Sequence, residues 1–363
     1  MATATSYSLG DRPSERGSRE SLDNTLRRTA VESTPMFSLL SRGPKAQAMY
    51  TEWLVDDLSE VSFPGVVDGK PLSYTGDDSG DFVDKTTDRA RLGARVQQLE
   101  RTFAVSPQAQ AVNVAGPSDL YSSSKARAMV ELKRDIEAMI CSDNSSRVGG
   151  GSQGDLCAGL GAWTDPDNFS EFGGGDATTD LTVNTDIGNK RRYRSVDGSR
   201  IDKTGGTALT ENGFRDMLQA IYENHGNSAS YRLVAGPGVL NEVTGFSRVN
   251  VPSSAGHPSY QLTQNVGDGV LRLSVQEYIS DWGRVFLVPT LLAGFSSGNS
   301  TFGDANRNRG YLIPGDNFIQ LRYLEDMKSI DLVDADGGGK RGLVRAMLTL
   351  TPTAGSKALG SIV

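Results

Sequence analysis

The chain has 363 residues, a formal net charge of −7, 42 glycines and only 37% hydrophobic residues, so much of it is expected to lie outside a core. The negative net charge argues against sequence-specific DNA binding. The two cysteines, Cys141 and Cys157, are too few for a disulfide framework. No apolar run suits a signal peptide or a membrane span, so we expect a cytosolic protein without membrane contact.

The first 34 residues are rich in Ser, Thr, Arg and acidic side chains. This composition is typical of a disordered tail, but it also suits an arm that orders only against a neighbouring molecule. The segment Thr34–Arg42, TPMFSLLSR, predicts a short apolar anchor directly after it.

Two extended segments are predicted next, joined by a long polar loop at Ser59–Thr87. Met49–Leu58 is a strand candidate that holds Trp53, and Arg89–Val105 returns with an apolar spacing that also fits a helix. An isolated two-stranded hairpin is marginal in water. We therefore expect a neighbouring subunit to support the hairpin, with Trp53 as the anchor.

The segment Asp119–Cys141 is the most regular amphipathic pattern in the chain and predicts a long helix. Its apolar stripe consists of Met129, Leu132, Ile136, Met139 and Ile140. Leu132 and Ile136 are expected to face the subunit's own sheet. Two pairs with opposite charges stand four residues apart and are predicted to form ion pairs, Arg127 with Glu131 and Lys133 with Glu137.

The remainder reads as a mixed α/β region. Arg147–Asp186 is glycine-rich and loop-like, with Leu160 and Trp163 as apolar anchors. Helices are predicted at Thr210–Asn224 and Val239–Phe246. Strands are predicted at Tyr231–Ala235, Val270–Ile279, Val285–Pro289, Phe318–Leu324 and Leu343–Leu350.

The sequence contains pieces of catalytic and metal-binding motifs, but none has the partner residues that its chemistry requires. Gly294–Gly298, GFSSG, matches a hydrolase nucleophile elbow around Ser296, but that motif requires a histidine after the serine, whereas His225 and His257 both precede it. The turn Asp334–Gly339 lacks the carboxylate spacing of a calcium loop, and two isolated histidines do not make a zinc site. No catalytic residue, metal or cofactor is predicted, and a serine hydrolase using Ser296 is kept as the alternative function.

Taken in order, the segments resemble the major capsid proteins of tailed bacteriophages, in the group that includes SU10-like head proteins. The resemblance rests on TPMFSLLSRG, EWLVDDL, KARAMVELKRDIEAMI, LTENGFRDMLQAIYENHG, YRLVAGPGVLNEVTGF, YISDWGRVFLVPTLL and GLVRAMLTLTPTAGSKALGSI. It implies an α+β, HK97-like capsid fold. The expected parts are an N-terminal arm at 1–45, an extended loop at 46–102, a peripheral domain with the spine helix at 103–160, an axial domain at 161–304, and peripheral strands at 305–363.

The resemblance also implies function and partners. The chain would self-assemble into hexamers and pentamers of an icosahedral head that encloses a double-stranded DNA genome. Its partners would be a portal protein, a separate scaffolding protein and a cement or decoration protein. Assembly would occur in the host bacterial cytoplasm, and the product would be the virion capsid. A minor decoration or fibre protein is the other structural alternative.

Contact with the packaged DNA is expected to be weak and non-specific, because affinity for phosphates comes from clustered Lys and Arg. The candidate residues are Arg12, Arg16, Arg19, Arg27 and Arg28 in the arm, and Lys190, Arg191 and Arg192. The same residues suit pairing with acidic side chains of neighbouring subunits, and both interpretations stay open.

Overall fold

The computed structural model describes residues 33–56, 58, 89–112, 119–151, 153–165, 195–203, 208–226, 229–246, 248–251, 259–262, 275–294, 307–315, 318–332 and 339–363. These residues form helices α1 (Pro35–Leu39), α2 (Pro107–Ala111), α3 (Leu120–Ile140), α4 (Leu160–Trp163), α5 (Glu211–His225) and α6 (Pro237–Gly245). The strands of the first half are β1 (Ser41–Arg42), β2 (Tyr50–Val55), β3 (Ala90–Arg95), β4 (Gln97–Val105) and β5 (Arg200–Ile201). Those of the second half are β6 (Ala229–Ala235), β7 (Arg248–Val251), β8 (Ser259–Leu262), β9 (Glu277–Ser280), β10 (Gly283–Pro289), β11 (Gly310–Pro314), β12 (Ile319–Leu332), β13 (Lys340–Pro352) and β14 (Gly360–Ile362).

The long helix α3 forms as the sequence predicts. The side chain of Asp119 caps it by accepting a hydrogen bond of 2.9 Å from the backbone N–H of Tyr121. The helix ends at Cys141. Its apolar stripe is turned inward, and Leu132 and Ile136 are completely buried.

Helix α3 packs against a four-stranded sheet with the order β1-β12-β13-β4. Strands β12 and β13 form a long antiparallel hairpin, β4 extends it antiparallel to β13, and β1 runs parallel to β12. Alternation along β13 buries Val344, Ala346 and Leu348 in the same core as Leu132 and Ile136. The expectation that these two helix residues face the subunit's own sheet is confirmed.

A second core lies on a six-stranded sheet with the order β5-β14-β11-β6-β10-β9. Helix α5 covers one face of it through four buried side chains, Phe214, Met217, Leu218 and Ile221. The hydroxyl of Thr210 caps the helix by accepting a hydrogen bond of 3.1 Å from the N–H of Gly213. The helix ends at Gly226, whose φ of 76° is the left-handed conformation that glycine adopts without strain.

The strand pairing does not follow the expected boundaries between the parts of the chain in two places. The boundary at residue 102 falls inside β4, because Gln97–Val105 belongs to the four-stranded sheet rather than to the hairpin β2–β3. Residues 305–363 are also divided, since β11 and β14 lie in the six-stranded sheet beside β5 and β6. Both strands are buried between neighbours, and the sequence analysis predicted neither.

We expect Leu132→Ala to lower the free energy of unfolding of the isolated subunit by about 2–5 kcal/mol, since it leaves a cavity between α3 and β13. Leu132→Asp and Ile136→Asp should prevent folding, because each also buries an unpaired charge. Urea unfolding followed by circular dichroism measures the effect. The matched control is Lys133→Ala on the exposed face of the same turn, and an equal loss of stability in that variant would contradict the packing described here.

Candidate assembly surfaces

The arm anchor, Pro35–Leu39, is fastened to α3 by one carboxylate. The backbone N–H of Met36 donates to Oε1 of Glu137 at 2.9 Å, and that of Phe37 donates to Oε2 at 2.6 Å. Thr34 precedes the helix, but its side chain makes no capping hydrogen bond. Glu137 therefore acts as the N-terminal cap of α1 from a hundred residues further along the chain, and Met36 is completely buried beside it.

Burial raises the pKa of the Glu137 carboxyl, because the charged form is poorly solvated in the core. The hydrogen bonds from Phe37, Met36 and the side chain of Thr290 oppose this effect and favour the ionised form. Both carboxylate oxygens are used as acceptors, so docking of α1 engages the whole group.

The inward position of Glu137 corrects one of the two predicted ion pairs. Arg127 and Glu131 do pair, with Nε and Oε1 2.8 Å apart. Lys133 is exposed, whereas Glu137 is buried under the arm anchor, so the predicted Lys133–Glu137 pair was wrong. The spacing of four residues was right, but the backbone donors of α1 bind the carboxylate instead.

The hairpin β2–β3 carries an apolar residue on its outward face. Strand β2 pairs antiparallel with β3, with Tyr50 opposite Arg95 and Val55 opposite Ala90. Val55 is buried, whereas Leu54 is 65% exposed and Leu58, just beyond the strand, is 92% exposed. This outward face of the hairpin is therefore accessible to another molecule.

Trp53 attaches the hairpin to the subunit's own core. Its indole N–H donates to the carbonyl of Thr353 at 3.1 Å, and its ring centroid lies 6.2 Å from that of the buried Trp163. The guanidinium of Arg322 lies 5.7 Å from the centre of its ring. Trp53 was expected to anchor the hairpin on a neighbour, but its indole contacts its own chain. Its role in assembly stays a prediction.

A partly buried polar cluster joins α3 to the six-stranded sheet. The hydroxyl of Tyr311 on β11 lies 2.9 Å from Oδ1 of Asp143 and 3.1 Å from the carbonyl of Cys141, and it donates to these acceptors. Arg309 forms an ion pair with the same Asp143. Complete burial raises the pKa of Tyr311, so the phenol stays protonated and remains a donor.

Part of the glycine-rich segment packs tightly beside this cluster. A Cβ at Gly159 would overlap Ser142, and one at Gly161 would overlap the Asp143 carboxylate. Leu160 and Trp163 are buried in the same core as the apolar stripe of α3, which confirms both as apolar anchors. The glycines are thus required for close approach of two backbones rather than for flexibility.

Several predicted site residues lie outside the described residues, namely Arg12, Arg16, Arg19, Arg27, Arg28, Lys190, Arg191, Arg192, His257 and Ser296. His225 is described, and its ring packs edge-on against Phe318 with 4.8 Å between centroids. Within the described ranges, no group of acidic, histidine or cysteine side chains is arranged to hold a metal ion. Among the same residues, no helix is both long and apolar enough to cross a membrane.

Comparisons with known proteins agree with this architecture. The family model described as SU10 major capsid protein matches residues 2–362. The capsid of a native GTA particle is 10% identical, with 98% of each chain covered and a TM-score of 0.57. The cyanophage A-1(L) capsid is 16% identical, with 96% of this chain and 97% of the other covered and a TM-score of 0.57. No curated protein matches the chain.

We expect Glu137→Ala to release the arm anchor while leaving the subunit folded. Without the carboxylate, two buried N–H groups lose their acceptor, which costs about 1–3 kcal/mol for each group left unpaired. Hydrogen exchange should therefore show faster exchange of the Met36 and Phe37 amides, with core strands unchanged. The control is Glu131→Ala, which removes only an exposed ion pair. Unchanged exchange at Met36 and Phe37 would contradict the capping role.

The raised pKa of Glu137 predicts a specific pH dependence. The pKa of this carboxyl in the folded protein lies above the unfolded value of about 4.3. The stabilisation that the carboxyl provides is therefore complete below that unfolded value and is lost as the pH rises through the folded pKa. The difference in free energy of unfolding between the wild type and Glu137→Gln should decrease over that acidic window and then become flat. Urea unfolding at a series of pH values measures it, and a difference that grows with pH would show the opposite shift.

Proposed function

This chain belongs to the SU10 major capsid protein family, and we propose that its arm anchor and its β2–β3 hairpin hold neighbouring subunits together in the shell. The chain is a major capsid protein of a tailed bacteriophage and self-assembles into the icosahedral head. The observation that carries the proposal is the docking of Pro35–Leu39 on α3 through Glu137. Through this contact, the chain that precedes Ser33 is attached to the folded part of the subunit.

The arm is suited to contact a neighbour because its own sequence cannot form a core. Residues 1–32 are rich in polar and charged side chains, and such segments order when another surface supplies apolar contacts. A mobile arm attached at a mobile point would lose much of its binding free energy to conformational entropy. Attachment at a buried, capped helix reduces that loss.

The hairpin is suited to the same role for a different reason. Its inner face is fastened by Trp53 and Val55, whereas its outer face exposes Leu54. The ion pairs Glu52–Arg91 and Asp56–Arg89, at 3.2 and 3.5 Å, line its strands but are exposed and contribute little stability. Burial of Leu54 against a second subunit would add an apolar contact on the outer face, beyond those that Val55 and Leu92 make with the subunit's own core.

Further partners follow from the proposed role. Hexamers and pentamers would form the shell, with a portal protein at one vertex, a separate scaffolding protein during assembly, and a cement or decoration protein outside. Assembly would take place in the bacterial cytoplasm. The net charge of −7 supports weak, non-specific contact with the packaged DNA rather than tight binding.

The role is structural, and the family assignment gives no support to a hydrolase built on Ser296. The described histidine, His225, is partly buried against an aromatic ring, and burial lowers its pKa. The assignment likewise favours the shell subunit over a minor decoration or fibre protein.

We expect Leu54→Asp to leave the isolated subunit folded but to reduce the yield of particles, because a charge replaces an apolar contact at the interface. The readouts are the melting temperature of the subunit and a particle count by negative-stain electron microscopy of the purified protein. The matched control, Glu52→Ala, lies on the same outward face of β2 and should assemble normally.

In the same experiment, residues 1–32 should be cleaved by protease in free subunits and protected in particles. A normal particle yield for Leu54→Asp, or equal cleavage in both states, would refute the proposed role of these segments. A wild-type protein that forms neither capsomers nor shells with its scaffold would refute the proposed function itself.

A further inference from the structure

The six-stranded sheet has two faces with different surroundings. Alternation along β10 turns Val285 and Leu287 toward the core under α5 and α6. Arg284 and Phe286 point to the other side. Near β11 this second face is covered by the core that contains Leu132 and Ile136 of α3, and Val234 of β6 belongs to that core.

The other end of the second face, at β9 and β10, is open to solvent. The strand register places Ile279 opposite Arg284 and Glu277 opposite Phe286, so all four side chains lie on one side of the sheet. Ile279 is 67% exposed and Phe286 is 41% exposed. We call these four residues the strand face. The next strand, β6, adds a partly exposed arginine, Arg232, opposite Phe286.

The opposite side of the same layer is formed by the outer surface of α5, where Glu211, Asp216 and Glu223 are exposed. The one arginine there, Arg215, pairs with Asp281 at 3.4 Å. Beside these acids, the rings of Tyr222 and Trp282 pack at a tilt of 39° with 5.1 Å between centroids and are partly exposed. We call this surface the helix face, and its charge is acidic.

We propose that the strand face of one subunit docks on the helix face of a second copy of this chain, and that this contact closes the capsomer ring. The inference rests on the proposed function and specifies the interface that it needs. A ring requires a head-to-tail contact between two different surfaces of the same molecule. The two faces lie on opposite sides of the unit formed by α5 and the six-stranded sheet, so they are two different surfaces of the same molecule.

The chemistry of the two faces is complementary. Arg284 and Arg232 on the strand face would meet the carboxylates of the helix face, and charges of opposite sign set the register of an interface. Ile279 and Phe286 would pack against Tyr222 and Trp282, and aromatic side chains are enriched at the centres of interfaces. Docking would remove both exposed apolar side chains from water.

Charge reversal tests this interface in the full-length protein. Arg284→Glu should reduce the yield of capsomers at least about tenfold, since about 1.4 kcal/mol lost per contact already corresponds to a factor of ten. Glu223→Lys with Asp216→Lys should have the same effect, and a chain carrying all three changes should recover assembly. The matched control is Arg127→Glu on α3, an exposed arginine that, like Arg284, pairs with a glutamate of its own chain. Native mass spectrometry and electron microscopy give the capsomer and shell yields.

The outcomes separate this interface from the general function. If the wild type assembles and Arg284→Glu assembles as well as Arg127→Glu, the interface is refuted while the function stands. If the wild type forms no capsomers or shells, both fail. Ile279→Asp provides an independent check. It should leave the melting temperature of the isolated subunit unchanged and reduce assembly, whereas a large fall in that temperature would mean that the chain's own segments cover the face and would overturn the proposal.

Discussion

A buried carboxylate that pairs with backbone N–H groups organises the N-terminal half of this protein. The first N–H groups of any helix have no acceptor within it and Thr34 does not cap α1, so burying Met36 requires an acceptor from elsewhere, which Glu137 of α3 supplies. Helix α3 contacts the second sheet at this same C-terminal end, where the carbonyl of Cys141 accepts hydrogen bonds from Tyr311 and from the N–H of Gly294. Helix α3 therefore fixes the arm anchor, the four-stranded sheet and the six-stranded sheet relative to one another.

The features that could be read from the sequence are those with local physical causes. Helices α3 and α5 have regular apolar spacing and capping residues, Asp119 and Thr210, so both their positions and their buried faces were predictable. The strands β12 and β13 carry alternating apolar residues and were also predicted, although each extends further than expected. The ordered set of segments identified the family, which the match over residues 2–362 confirms.

The remaining features depend on contacts between distant parts of the chain. Strand β11 is a continuous apolar run of five residues, and such a run does not distinguish a buried strand from a piece of buried helix. Strand β14 has a single large apolar side chain, Ile362. The inward turn of Glu137 could not be predicted either, because the spacing to Lys133 suits a surface pair equally well. An acidic residue between the apolar Ile136 and Met139 was the one available signal. For the assembly surfaces, the sequence located the hairpin, but only the strand register showed that Leu54 faces outward while Trp53 faces the core.

The position of β14 has a consequence for folding kinetics. Strand β5 is joined to the six-stranded sheet through β14, with Arg200 beside Ser361 and Ile201 beside Ile362. Pairing over so long a stretch of chain gives a high contact order, and such contacts form late because the loop must close first. Completion of the six-stranded sheet therefore depends on closing a long stretch of chain, whereas the hairpin β12–β13 depends on a local closure.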